Sequence, residues 1–361
     1  MTPGEQLLWL PLHAFIVCGL LHLIALRLFP RLHLLDFPQR YGLTRRRLPY
    51  PTGIVSTAVF LCFFAALSQW SRQNIGILLG ILLITLTAFC DDRRPLPSAL
   101  RLGMQLLAAF LIFATGTHIF TITNPILTNG IIKLDTIRLP LAYFGNPPLL
   151  SGIFTVCWLL LTTNALNWFD GVPGQVSLLS AIGFLTIGFL AISPRIAHLD
   201  PALQQHLALI AFVLAGISLA GLLFDFPPNR VLMGDTGAMF FGLMLGILTI
   251  YAGGKVATAF LVLGVPLIDS FIVILQRIAR GKSPLRGSPQ GEHLHHLLLS
   301  RGWSQRQVVL LTALLGTTFG IAALFLSTRE KFFAALLLLA IMTGLHLYAG
   351  RASTCTPSAC S

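Results

Sequence analysis

The sequence predicts an all-α integral membrane protein, a polytopic bundle of about eleven transmembrane helices. Its composition is the first reason: 55% of the residues are hydrophobic and only 10% are charged. Soluble domains carry roughly 25% charged residues, so water cannot surround most of this surface. The second reason is the recurrence of apolar stretches close to the length that spans a bilayer, about 20 residues.

Eleven apolar stretches divide the chain, and each is predicted to be a helix because a helix satisfies its own backbone polar groups in lipid. We expect residues 1–350 to form a single polytopic domain, followed by a short polar tail at 351–361. The absence of a clear internal repeat argues against a transporter built from inverted repeats. The stretches are residues 7–29, 53–70, 75–90, 99–118, 149–166, 175–192, 206–224, 236–252, 256–278, 308–326 and 332–350.

The basic residues predict the orientation of these helices. If the connection after the first stretch is cytoplasmic, 17 of the 24 Lys and Arg residues fall on the cytoplasmic side and 7 on the other. This bias favours an N-terminus outside and a C-terminus in the cytoplasm. The net charge of +12 then lies mostly at the cytoplasmic face, where it suits anionic lipids and anionic substrates. Nucleic acid binding is not needed to explain it.

Two adjacent carboxylates, Asp91 and Asp92, close the third stretch. Carboxylates at a helix C-terminus are unfavourable by about 0.3–1 kcal/mol each, so a cation or the neighbouring Arg93 and Arg94 must compensate for them. One explanation is a solvated pair neutralised by the arginines. The functional alternative is that the pair binds Mg²⁺ or positions a phosphate nucleophile.

Polar residues also close the fifth stretch and open the eighth. Asn164 and Asn167 share a helix face, and Asp170 begins a turn with Gly171. These side chains could bind a nucleotide or a sugar, although a polar helix end with an Asp-Gly turn is common. Asp235 lies between two glycines at the start of the eighth stretch, where it is either a helix N-cap or part of a site for an anion and its metal.

Three histidines, His293, His295 and His296, lie in a basic loop before the tenth stretch. A transition-metal site is disfavoured because no cysteine or second histidine pair lies near them in sequence. Contacts with a pyrophosphate, shared with the nearby Arg280, suit the surrounding charge better. The remaining explanation is an exposed interfacial loop.

Taken together and in this order, these motifs resemble the polyprenyl-phosphate N-acetylhexosamine-1-phosphate transferases, glycosyltransferase family 4. The form of the histidine motif is similar to the branch that acts on N-acetylglucosamine-1-phosphate or a related sugar. The resemblance departs at Pro173, where the family usually has a second acid. It rests on Asp91-Asp92 with Arg101 and Gln105, Asn164-x-x-Asn167-x-x-Asp170-Gly171, Met233-Gly234-Asp235-x-Gly237, Pro266-x-x-Asp269 with Arg277, and His293-Leu-His295-His296.

The resemblance implies a reaction between a UDP-N-acetylhexosamine and undecaprenyl phosphate that releases UMP. It places the enzyme in the bacterial inner membrane, with its active site on the cytoplasmic face and Mg²⁺ (or Mn²⁺) as cofactor. A homodimer is compatible with it. The expected metal ligands and catalytic residues are Asp235, Asp91 and Asp92. The expected substrate-binding residues are Asn164, Asn167 and Asp170 for the nucleoside and sugar, and His293, His295, His296 and Arg280 for the pyrophosphate.

Two other functions stay open at this stage. The first is the phospho-N-acetylmuramoyl-pentapeptide transferase of peptidoglycan synthesis, a related branch. The second is a membrane transporter or lipid flippase, in which Asp269 and the cytoplasmic acids would be the coupling sites. A transporter of this kind should lose its activity when Asp269 alone is changed, while its loop motifs should tolerate substitution.

Overall fold

The computed structural model describes residues 2–36, 38, 46–50, 52–124, 130–138, 147–194, 200–253, 256–282 and 291–350. The described residues form helices joined by short connections, together with one small sheet. The helices are α1 (Pro3–Arg31), α2 (Thr52–Leu67), α3 (Arg72–Arg93), α4 (Ser98–Ala114), α5 (Leu149–Phe169), α6 (Gln175–Ala191), α7 (Pro201–Asp225), α8 (Gly234–Tyr251), α9 (Val256–Val262), α10 (Gly264–Ala279), α11 (Leu294–Ser300), α12 (Gln305–Phe325) and α13 (Thr328–Gly350).

Helices occupy each of the predicted apolar stretches, with one change at the ninth. That stretch is two helices, because the chain leaves helical geometry at Leu263 between α9 and α10. Pro266 then lies in the first turn of α10, where a missing backbone N–H costs little. The predicted tail at 351–361 lies outside the described residues.

The small sheet and one short helix were not predicted. The strands β1 (Thr121–Thr123) and β2 (Ile131–Lys133) pair antiparallel after α4, and the short helix α11 carries part of the histidine motif. Neither is long enough to show a clear hydrophobic period, so sequence patterning does not detect them.

Seven of the described helices are long and apolar enough to cross a membrane. They are α1, α3, α5, α7, α8, α12 and α13, while α2, α4 and α6 are shorter apolar helices of 10–17 residues. The chain is therefore a mostly helical, polytopic membrane protein, as its composition predicts.

The helix α8 lies at the centre of the bundle and packs against α2, α3, α5 and α6. It is apolar on all sides, as expected for a fully enclosed helix. Its glycines permit close approach: a Cβ on Gly53 of α2 would lie 2.2 Å from the backbone nitrogen of Gly237, and one on Gly242 would lie 2.6 Å from the carbonyl oxygen of Thr162 in α5. Small residues at such contacts let transmembrane helices pack backbone to backbone.

This close packing brings several helix ends together at one end of the bundle. The end of α3, the start of α4, the end of α5 and the start of α8 meet there through side-chain contacts. Helix α10, through Asp269 and Arg277, and the short helix α11 lie beside them. All the motifs singled out in the sequence lie on these elements or on the turns next to them.

Candidate active site

Asp92, at the end of α3, caps the start of α8. Its Oδ1 accepts the backbone N–H of Asp235 at 2.8 Å, and its Oδ2 accepts the N–H of Thr236 at 3.2 Å and the Thr236 hydroxyl at 2.7 Å. The N-terminus of a helix carries partial positive charge. This charge contributes to the compensation of the Asp92 carboxylate, and the cation or arginine expected from the sequence stays a prediction for Asp92.

The glycine before Asp235 is required by this contact. Gly234 has φ of +73°, and a Cβ there would lie 2.9 Å from Asp92 Oδ2. Both the left-handed backbone and the lack of space favour glycine. Asp235 itself is not the N-cap, since it lies in the first turn of α8 after Met233.

Asp91 and Asp235 converge on one guanidinium group, that of Arg101 in α4. Arg101 Nη1 lies 2.7 Å from Asp91 Oδ2, and Arg101 Nη2 lies 3.2 Å from Asp235 Oδ2. The same Nη2 donates to Asn167 Oδ1 at 3.2 Å. Asp91 is 8% exposed and also accepts the Leu96 N–H at 2.6 Å, whereas Asp235 is 32% exposed. Asp235 is therefore the more accessible of the two carboxylates.

Asp170 completes what we call the acid cluster: Asp91, Asp92, Asp170 and Asp235. It is the C-cap residue of α5, directly after Phe169. Burial raises the pKa of Asp170 well above its usual value, and the negative charges of Asp235, Asp225 and Asp92 raise it further. The raised pKa favours the protonated, neutral form of Asp170, and a bound cation would favour its charged form instead.

The two asparagines of α5 differ in their surroundings. Asn164 exchanges two hydrogen bonds with Gln105 of α4, at 2.8 and 3.2 Å, and also donates to its own helix at Leu160. This amide is occupied by the protein and holds α4 against α5. The Nδ2 of Asn167, by contrast, is buried and has no hydrogen-bond partner among the described residues, so Asn167 has a donor left for a ligand.

The histidine segment, residues 291–296, is anchored by Asp269 of α10. Asp269 is 1% exposed and receives His293 Nδ1 at 2.6 Å on one oxygen and the Leu294 N–H at 2.8 Å on the other. A second contact comes from Glu292, whose carboxylate accepts Arg277 Nε at 2.6 Å. Sequence reasoning did not find this ion pair, although a charged residue in each of two neighbouring elements was a signal for it.

His295 connects the histidine segment to the acid cluster. Its ring lies edge-on to Phe169, with centroids 6.2 Å apart, and parallel to His293 at 5.7 Å. A Cβ on Gly171, the residue after Asp170, would lie 1.9 Å from His295 Nε2. The Asp-Gly turn predicted after α5 therefore contains glycine because the His295 ring occupies the space of a side chain.

Both ring nitrogens of His295 are buried and lack hydrogen-bond partners among the described residues. Burial, with the nearby charge of His296, lowers the pKa of His295 to about 3, so the ring is neutral at physiological pH. Buried polar atoms are ordinarily paired. Unpaired atoms beside a carboxylate cluster are typical of a site that a ligand completes.

The two remaining predicted residues lie at the edge of this arrangement. The His296 ring is half-buried and 4.2 Å from that of His295. Arg280 is the exposed C-cap residue of α10. Of the predicted binding residues, His296 thus lies in the histidine segment, whereas within the described part of the chain no contact joins Arg280 to the acid cluster.

The donor atoms of the acid cluster fit a hard divalent cation. Mg²⁺ is usually bound by one or two carboxylates together with substrate phosphates. Asp91 and Asp235 present one oxygen each toward a single positive group, and Asp170 is close enough for its pKa to respond to the charge of Asp235. Within the described ranges no three His, Cys, Asp or Glu side chains are already gathered as a complete metal site. The two carboxylates would therefore depend on substrate oxygens to complete the coordination.

These features define a polytopic membrane protein with an acidic site at one end of its bundle, bordered by buried histidines. Residues 74–253 match glycosyl transferase family 4. The chain belongs to this family.

Three relatives illustrate the family. A probable undecaprenyl-phosphate N-acetylglucosaminyl 1-phosphate transferase of Bacillus subtilis is 30% identical over 70% of this chain, which spans just under two thirds (66%) of that protein. An undecaprenyl-phosphate alpha-N-acetylglucosaminyl 1-phosphate transferase of Pasteurella multocida is 29% identical over 86% of this chain and 85% of its own length. A phospho-N-acetylmuramoyl-pentapeptide-transferase of Borreliella burgdorferi is 26% identical over 80% and 84%.

Proposed function

We propose that this chain transfers N-acetylglucosamine-1-phosphate, or a related N-acetylhexosamine-1-phosphate, from a UDP-sugar to undecaprenyl phosphate. UMP is released, and the product starts a lipid-linked glycan of the cell envelope. The observation that carries the proposal is the junction at Gly171, where the acid cluster and the histidine segment meet. Residues 1–350 would act as one transferase domain.

Electrostatics explains why the reaction needs such a site. An oxygen of the lipid phosphate must attack the β-phosphorus of a diphosphate, and both reactants are anions. Mg²⁺, when bound by Asp235 and Asp91, would supply the positive charge that reduces this repulsion and stabilises the leaving UMP. Arg101 touches both carboxylates. It would exchange one of these contacts for a phosphate oxygen when substrate enters.

The carboxylates of the acid cluster have different roles in this proposal. Asp235, the more exposed carboxylate, would face the diphosphate. Asp91 would ligate the metal or keep the lipid phosphate ionised. Asp92 was also assigned to catalysis or metal binding from the sequence; its bonds to the first turn of α8 support a positioning role, in which it holds Asp235 opposite Asp91.

The polar groups around the cluster would bind the donor. Asn167 offers an unpaired amide donor, and His295 offers two unpaired ring nitrogens. Asp170 lies three residues after Asn167 and directly before Gly171, which lies against the His295 ring. We propose that Asn167 and Asp170 contact the nucleoside and sugar and that His293, His295 and His296 contact the diphosphate, with Arg280 adding charge at the rim. Asn164 would support this surface through Gln105.

The names of the relatives support this branch of the family. The Bacillus and Pasteurella proteins are named for the transfer of N-acetylglucosamine 1-phosphate to undecaprenyl phosphate. The Borreliella relative is named for the muramoyl-pentapeptide reaction and is less similar, so that activity is the second candidate. The transporter alternative loses support because Asp269 is fully engaged in anchoring the histidine segment.

An assay of purified protein tests the proposal. Protein in detergent is mixed with undecaprenyl phosphate, Mg²⁺ and one UDP-sugar at a time, and released UMP is measured. We expect release with UDP-N-acetylglucosamine or a related N-acetylhexosamine and none after addition of EDTA, with Mn²⁺ or Mg²⁺ restoring it. Release only with UDP-N-acetylmuramoyl-pentapeptide would favour the second candidate. Full turnover in EDTA would exclude the metal roles of Asp91 and Asp235.

The location of the site is a separate proposal. We propose that the end of the bundle that carries the acid cluster faces the cytoplasm in a bacterial inner membrane, as the distribution of Lys and Arg favours. Single cysteines at the exposed positions Gln69 and Ser300, in a chain without its native cysteines, test this with an impermeant maleimide. Ser300→Cys should react only after the membrane is opened, and Gln69→Cys in intact cells. The opposite pattern would invert the topology.

A further inference from the structure

Asp269 is held from a second side by the last helix of the bundle. His346 of α13 places Nε2 at 2.9 Å from Asp269 Oδ1, the oxygen that also accepts the Leu294 N–H. The other oxygen receives His293 Nδ1. Since a carboxylate only accepts hydrogen bonds, both histidines carry a proton on the nitrogen that faces Asp269. The three side chains form a buried triad, with His346 5% and His293 3% exposed.

His346 has no other evident reason to be buried in an apolar helix. Burying a polar ring is costly unless it makes hydrogen bonds, and its Nδ1 has no hydrogen-bond partner among the described residues. The hydrogen bond to Asp269 therefore compensates for the free-energy cost of burying the His346 ring. His346 also lies beyond every motif that supports the family resemblance, since the last of these ends at His296.

The triad continues to the active site through stacked rings. His293 lies parallel to His295, with an interplanar angle of 4°, and His295 fills the space above Gly171 beside Asp170. Asp269 fixes the ring of His293 by one oxygen and the start of α11 by the other. A carboxylate that could rotate would release both contacts together. His346 donates to the oxygen that Leu294 also uses and so opposes that rotation.

We propose that His346 is a positioning residue of the site: through Asp269 it fixes His293, and with it the ring stack that completes the UDP-sugar site. The inference deepens the proposed function and rests on it. The competing explanation is that His346 only fills space between α13 and α10, in which case its hydrogen bond would have no effect on the histidine segment.

Three variants separate these explanations. His346→Ala removes the hydrogen bond, and His346→Gln keeps an amide N–H that can reach Asp269. Met342→Ala is the matched control, because Met342 is fully buried one turn earlier in α13 and its loss removes packing without a hydrogen bond. For each variant, kcat and KM are measured with the UDP-sugar that the wild type uses best. The rate at which diethyl pyrocarbonate modifies His293 and His295 is followed by mass spectrometry.

For His346→Ala we expect kcat/KM to fall roughly tenfold, the effect of one buried hydrogen bond to a charged group, mainly through a higher KM for the UDP-sugar. Modification of His293 and His295 should become faster. His346→Gln should recover most of both properties. Met342→Ala should lower the melting temperature while leaving kcat/KM and modification close to wild type.

Two outcomes would overturn the proposal: His346→Ala with wild-type kinetics and protection, or Met342→Ala with the same losses as His346→Ala. A wild type that releases no UMP from any UDP-sugar would instead refute the proposed function. In that case the modification rates alone decide the role of His346. Faster modification in His346→Ala only would support positioning of His293, and an unchanged rate would reject it.

Discussion

The acid cluster and the histidine segment meet at Gly171, but they are held in place by different means. Carboxylates of the acid cluster lie at the ends of long helices, and Asp92 is bound by backbone N–H groups of α8. The histidine segment runs into a seven-residue helix, α11, and is fixed by single side chains, Asp269 and Arg277. One region is positioned by long packed helices, and the other by a few hydrogen bonds and the buried Leu294 and Leu298 of α11.

This difference separates chemistry from binding. Positions on packed helices are more precise than positions on connections, which suits groups that must align a diphosphate with an attacking oxygen. A segment held by few bonds can adjust as a substrate enters and leaves. We therefore expect substitutions in the acid cluster to lower kcat most, and those in the histidine segment to raise KM for the donor.

The largest effect is expected for Asp235→Asn. A neutral amide is a poor ligand for Mg²⁺, and loss of one group that stabilises transition-state charge typically lowers kcat by about 10²–10³. UMP release under saturating substrates measures this. The control is Asp200→Asn, because Asp200 caps α7 through the Leu203 N–H and asparagine caps helices equally well. Near-normal kcat in Asp235→Asn would remove Asp235 from the chemistry.

The junction itself is broken by Gly171→Ala. The new methyl would lie 1.9 Å from His295 Nε2, so the histidine segment and the Asp170 turn must move apart. A shift of about 1 Å in the position of an active-site group can lower kcat/KM by about 10²-fold. Gly103→Ala is the control, since a Cβ at Gly103 meets no atom within 4 Å.

A double variant sharpens this test. If the clash with His295 is the cause, Gly171→Ala should add no further loss to a His295→Ala chain, because the space is then free. Additive losses in kcat/KM would show that Gly171 acts independently of the histidine segment.

His295→Ala should have a smaller effect, confined to donor binding. Removal of its two buried nitrogens is expected to raise KM for the UDP-sugar roughly tenfold, while KM for undecaprenyl phosphate stays unchanged. His206→Ala is a suitable control, because His206 lies near the start of α7 beside the pocket at Asn74 and Leu203, whereas Asp225, the neighbour of Asp170, ends that helix. A kcat effect larger than the KM effect would place His295 in the chemistry.

The smallest effect is expected for Pro173→Asp, which restores the acid that the family usually has at this position. Pro173 precedes Gly174, whose φ is +84° and whose Cβ position lies 3.0 Å from Phe226 Cα. Loss of the proline would loosen this turn by about 0.4–1 kcal/mol, and kcat/KM should fall about two- to fivefold. Higher kcat/KM in Pro173→Asp would show instead that the missing acid limits this enzyme.

The sequence alone determined that the chain is a helical membrane protein, and it predicted which residues carry its chemistry. Apolar stretches identify helices because lipid leaves the backbone no other partner, and charged residues in such a chain are expensive enough to mark function. This is why Asp91, Asp235 and the histidines could be selected without a structure.

Only the tertiary structure decided what each selected residue contacts. That Asp92 caps α8, that Asn164 is occupied by Gln105 and that His346 reaches Asp269 all depend on contacts between residues distant in the chain. No local pattern encodes such contacts, because they arise from the packing angles and close glycine contacts of whole helices. His346 shows this most clearly: in sequence it is a single histidine in an apolar helix, and its role exists only through its partner in α10.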